Sequence, residues 1–100
     1  MTELTQMTEY VTNAVIVPGA ILEEELEARG LTQRELARQM GRPEQTISEI
    51  VHGKKAITGK TALQLEEVLG ISAETWMRLE AAYQLDLARK AAASSTKRAS

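Results

Sequence analysis

One hundred residues without a cysteine exclude a disulfide framework and any thiolate metal site, and limit the chain to one small domain. No apolar run reaches the ~20 residues that span a bilayer, and the N-terminus lacks the basic and apolar regions of a signal peptide, so the expected compartment is the cytoplasm. A net charge of −2 speaks against a polyanionic partner, yet its distribution reverses that reading locally. Residues 1–28 hold six acidic side chains and no basic one, residues 29–60 seven basic against three acidic, and residues 61–100 five of each. The middle third carries the electrostatic footprint of a nucleic-acid-binding segment.

Residues 1–14 are polar and weakly patterned. With the β-branched run before Pro18, which favours extended backbone, they predict a flexible or extended arm over 1–17. A first helix is predicted over about 19–29, with Ile21, Leu22 and Leu26 inward, four glutamates outward and Gly30 as its stop. Thr32 and Glu35 form a T-x-x-E capping box that opens a second helix, with Leu36, Ala37 and Met40 apolar and Gly41 closing it. A third helix starts at about Pro43, carries Ile47, Ile50 and Val51 inward, and stops at Gly53. Thr58 caps a fourth over about 59–69, with Ala62, Leu65, Val68 and Leu69 apolar. Ser72 caps a fifth, longer helix over about 73–92, and the polar tail 93–100 is expected to fray. Phenylalanine is absent, so the core must be aliphatic, with methionine, around Trp76, Tyr83 and Tyr10. No segment of useful length has the strand period, and the class is all-α.

Spacing singles out residues 33–50. Ala37, Gly41 and Ile47 follow Gln33 by four, eight and fourteen places. Two helices that cross through a three- or four-residue turn need a small residue for close approach, a glycine for positive φ and a branched aliphatic as wedge. An ordinary helical hairpin also uses glycine and apolar residues, but here the capping box, alanine, glycine and isoleucine fall in register together.

"LTQRELARQMGRPEQTISEIVHGKKAIT" resembles the helix-turn-helix of phage-repressor-type regulators. Pro18-Gly19, the run Ile47 to Thr58, and Trp76 with Leu79, Ala82, Tyr83 and Leu85 narrow the resemblance to the HigA branch of antitoxins, over about residues 17–89. His52 departs from the asparagine usual in that family, Gly59 is a weak helix start, and the third helix is unusually acidic. The resemblance implies a five-helix phage-repressor-like domain over 18–92 that binds operator DNA and represses its own operon. It also implies a HigB-like toxin of the RelE-type messenger-RNA ribonuclease class as protein partner.

By that resemblance, Glu44, Gln45 and Glu49 face bases in the major groove. Glutamine pairs bidentately with adenine and a carboxylate accepts from cytosine N4, so glutamates exchange non-specific affinity for discrimination. Thr46 and Ser48 are candidates for a base or a phosphate. Gln33, Arg34, Arg42, Lys54, Lys55 and Lys60 flank this helix as phosphate-binding candidates. The plain alternative for the glutamates is a solvated face. His52, the only histidine, lacks metal-ligand partners, a nucleophile and an orienting group, so it reads as a helix-terminal residue. No cofactor or enzymatic activity is expected.

The fifth helix has two apolar stripes, Trp76–Leu79–Tyr83–Leu87 and Met77–Ala81–Leu85–Ala88. A surface helix normally needs one. The second stripe is therefore the candidate dimer interface, and a two-fold dimer demands an inverted-repeat operator. Three readings stay open: a dimeric antitoxin, a stand-alone repressor of the same fold, and an interaction module whose basic middle is only solvated.

Overall fold

The computed structural model describes residues 15–99, and for 95–99 the backbone alone. Residues 1–14 of the expected arm, Tyr10 among them, lie outside the described residues. Five helices follow one another: α1 Pro18–Arg29, α2 Gln33–Met40, α3 Glu44–Val51, α4 Gly59–Leu69 and α5 Ala73–Ala99. No strand occurs among the described residues.

Local chemistry explains the breaks. Thr32 Oγ1 accepts the Glu35 amide and Glu35 Oε1 accepts the Thr32 amide, both at 3.0 Å, so the capping box forms as predicted. At Gly41, with φ 67°, the Arg42 amide donates to Ala37 and the Gly41 amide to Arg38. That pattern closes a helix only around a left-handed residue, which glycine adopts without strain. Thr58 and Ser72 accept the amides of Thr61 (3.3 Å) and Thr75 (3.1 Å), again as the caps predict.

α2 packs on α3 and α4, α1 on α3 and α5, and α4 on α5. Leu22, Leu36, Ile47, Ile50, Leu65 and Trp76 fill the centre almost without exposure, an aliphatic core around one indole. Ile57, in the turn between α3 and α4, joins that core although no helical period marks it. α1 begins at Pro18, one residue earlier than predicted, and α3 begins at Glu44, with Pro43 as its extended N-cap. α5 passes its expected end near residue 92 and stays helical through Ala99. Ala91, Ala92 and Ala93, the best helix formers, carry the helix across a segment whose polarity predicts fraying.

Candidate nucleic-acid interface

α3 presents two different faces. Ile47, Ile50 and Val51 are buried, whereas Glu44 and Gln45 in its first turn are exposed and Ser48 and Glu49 half-exposed. Thr46 differs from its neighbours. It is only 8 % exposed and lies one turn before Ile50 on the inward face, a burial that its candidacy for a base or phosphate contact did not anticipate. No side chain caps the start of α3, and Glu44 stands where the positive end of the helix dipole favours a carboxylate. Part of the acidity is thus explained by the helix itself, whatever Glu44 contacts.

The end of α3 sets the next cations. Gly53, at φ 74°, donates its amide to Ile50, and the amides of Lys54 (2.8 Å) and Lys55 (3.2 Å) both donate to the Glu49 carbonyl. The two lysine backbones are thereby fixed against the last turn of α3 while their side chains stay exposed. His52 closes the same turn: its Nδ1 donates to the Ser48 carbonyl at 2.7 Å, a local role that fits a helix-terminal residue. Lys60, at the second position of α4, and Arg34, in the first turn of α2, are exposed, and Gln33 beside it is half-buried.

Arg42 has partners within the domain. Its Nη1 donates to Thr61 Oγ1 at 3.4 Å and to Gln64 Oε1 at 3.0 Å. Gln64 in turn donates to the Met40 carbonyl at 3.3 Å. The guanidinium therefore ties the α2–α3 turn to α4 through Nη1, a structural role that the phosphate-binding expectation did not include. Nothing in residues 33–50 signals this, because the acceptors lie 19 and 22 residues downstream.

Glu80 has no place in the sequence reading. It is 7 % exposed, and its Oε1 accepts the Ile57 amide at 2.9 Å while its Oε2 accepts Gln84 Nε2 at 2.6 Å. Its spacing one turn after Trp76 was the available signal, since that places it on the inward stripe. Met77, Ala81, Leu85 and Ala88 are all exposed, Leu85 by 50 %. The Trp76 stripe packs inward over its first part: Trp76 is fully buried and Leu79 and Tyr83 are half-buried, while Leu87, farther along, is exposed. Among the described residues no group of three acidic or histidine side chains could hold a metal, and no helix is long and apolar enough to cross a membrane.

Two short helices joined through a glycine turn, the second with an exposed polar first turn and a basic exit, define a helix-turn-helix protein. Residues 22–76 match the Helix-turn-helix family model HTH_3, and the chain belongs to that family. It is similar to the uncharacterized HTH-type transcriptional regulator YddM of Escherichia coli (strain K12), 37 % identical over 73 residues, 73 % of this chain and 78 % of that protein. An addiction module antidote protein of the HigA family from Coxiella burnetii is 32 % identical, with a TM-score of 0.76 over 84 % of this chain and 92 % of that one. The antitoxin HigA of Pseudomonas aeruginosa, solved with the higBA promoter, is 29 % identical, with a TM-score of 0.78 over 85 % and 94 %. Within the helix-turn-helix family, the chain is of the HigA antitoxin type.

Proposed function

We propose that this chain binds an inverted-repeat operator as a two-fold dimer, represses its own operon, and neutralises a HigB-like ribonuclease toxin. α3 enters the major groove, with Gln45 on adenine and Glu44 and Glu49 accepting from cytosine. Ser48 is its fourth polar contact, to a base or a phosphate. Lys54, Lys55, Lys60, Arg34 and Gln33 hold phosphates on either side. The observation that carries the reading is the exposed first turn of α3 followed by two lysines whose backbones are pinned to its last turn. The Pseudomonas aeruginosa HigA solved with promoter DNA supports it by likeness of fold and sequence.

A stand-alone repressor without a toxin is the second reading, favoured by the likeness to an HTH-type transcriptional regulator. Both readings need DNA binding, and only the first needs a protein partner. The decisive experiment has two arms. A mobility-shift titration of the chain on the DNA upstream of its own gene tests the operator. Co-expression with the product of the adjacent gene tests the toxin. Specific retardation with a co-purifying, growth-rescuing complex is the expected result. Retardation with no complex and no rescue leaves the repressor, and no retardation removes both.

A further inference from the structure

Glu80 is the only buried charged residue among the described residues, and no cation among them lies within ion-pair distance of its carboxylate. A carboxylate withdrawn from water is costly unless hydrogen bonds replace its hydration. Its two oxygens are met by the Ile57 amide and by Gln84 Nε2. Neither is a helix-ladder bond. The first crosses from α5 to the turn between α3 and α4, and Lys54 and Lys55 stand in that turn.

The turn is held at both ends. At its start, the Lys54 and Lys55 amides donate to the Glu49 carbonyl. Gly53 lies against α5 and the segment before α1: a Cβ placed on it would be 3.7 Å from the Tyr83 hydroxyl and 3.1 Å from Val17 Cγ1. At its end, Ile57 is 2 % exposed and its amide is the one that Glu80 accepts. Between those anchors the lysine side chains project into water.

We propose that Glu80 is a positioning residue for DNA binding: by accepting the Ile57 amide, it fixes the Lys54–Lys55 turn to α5. The proposal rests on the operator-binding reading above, in which both lysines contact phosphate. α5 also carries the Met77–Ala81–Leu85–Ala88 stripe, with Ala81 next to Glu80. One rigid helix therefore sets both the dimer axis and the distance from that axis to the cations. A turn released at Ile57 still attracts phosphate, but it must be ordered at the moment of binding, and that ordering subtracts from affinity.

The test compares the full chain with Glu80→Met, which keeps length but has no carboxylate acceptor, and Glu80→Gln, which keeps an acceptor oxygen. Each is checked for helix content and for assembly state. Affinity for the upstream DNA and for random DNA is then measured across salt concentrations, and exchange of the Ile57 amide is followed without DNA. Glu80→Met should lose Ile57 protection, bind both DNAs roughly ten-fold more weakly, and show a salt slope smaller by about one to two. Glu80→Gln should restore all three. A folded Glu80→Met with the parent's slope and affinity overturns the proposal, because a purely structural residue would lower thermal stability and leave the slope alone. If Glu80→Met does not fold, Glu80→Gln decides alone: a folded variant with a reduced slope overturns it. If the parent's slope is indifferent to Lys54 and Lys55, the two lysines lie outside the interface and this proposal falls, while operator binding by α3 is decided separately by retardation of the upstream DNA. Ile57 exchange still reports the anchor separately.

Discussion

Gly19, in the first turn of α1, lies directly against the backbone of Ile50 at the end of α3. A Cβ placed on Gly19 would overlap the Ile50 carbonyl oxygen and come within 2.6 Å of Val51 Cα. Real Cβ atoms do not approach backbone so closely, and every atom met is backbone rather than the far end of a flexible side chain. In an isolated helix Gly19→Ala would gain about 1 kcal/mol of propensity. Here the clash wins: separating two packed backbones costs typically 1–3 kcal/mol and occasionally more, and a clash with backbone belongs at the upper end. Gly19→Ala should lower stability by about 3 kcal/mol or more in urea unfolding. A neutral or stabilising result would mean that α1 and α3 are farther apart in solution.

Gln45 is exposed in the first turn of α3, one residue from the buried Thr46. Gln45→Ala should cost about 1–3 kcal/mol of binding at the operator and little on random DNA. Titrations on the two DNAs measure the difference. Equal losses on both would take Gln45 away from the base edges.

Lys54 and Lys55 should act without regard to sequence. Replacing both by alanine should weaken all DNA and lower the slope of log affinity against log salt by roughly one per lost phosphate contact. An unchanged slope excludes them from the interface. Arg42→Ala should behave differently, lowering the unfolding midpoint first, because it removes the donor to Thr61 and Gln64.

Leu85 is half-exposed at the centre of the free stripe on α5. If that stripe is the self-complementary surface, Leu85→Glu buries like charges near the two-fold axis and converts the dimer to monomer. Helix content should survive, since the Trp76 side of α5 keeps its place in the core. Sedimentation beside circular dichroism checks it, and a mutant that remains dimeric rules the stripe out. Tight operator binding should disappear with the dimer, because one reading helix touches too few base pairs.

Glu35 predicts a pH dependence. The Thr32 backbone amide, followed by the Thr32 hydroxyl, holds its carboxyl below the usual glutamate value of 4.5. A folded-state pKa below the unfolded one adds stability above the unfolded pKa, and that contribution is lost as pH falls through the folded value. The parent should therefore exceed Glu35→Gln in stability at neutral pH, and the gap should narrow as the solution becomes more acidic than the ordinary glutamate range. Urea unfolding of both proteins over pH measures it. A gap that widens on acidification would contradict the capping geometry.

Much of the architecture was legible because its causes are local. The capping box spans Thr32 to Glu35, and the closures at Gly41 and Gly53 each span six residues, so the chain specifies them before any helix meets another. The core of α2, α3 and α4 follows from 3.6-residue periodicity, and Ile47, Ile50 and Leu65 are buried where that period puts them. The basic exit of α3 was visible in the same way, as charge beside a glycine stop.

Three features were decided by tertiary structure. The period of α3 alone does not say how wide its buried face is, and the packing of α1 and α2 against it extends that face to Thr46. The structural tie of Arg42 is not signalled by its own segment; only the arrival of Thr61 and Gln64 from α4 gives this guanidinium its acceptors. Glu80 finds its partner at Ile57, 23 residues away, once α5 has crossed the turn. Caps and stripes are short-range and additive, whereas the partner of a long polar side chain depends on how helices cross, and a single helix's sequence does not encode that.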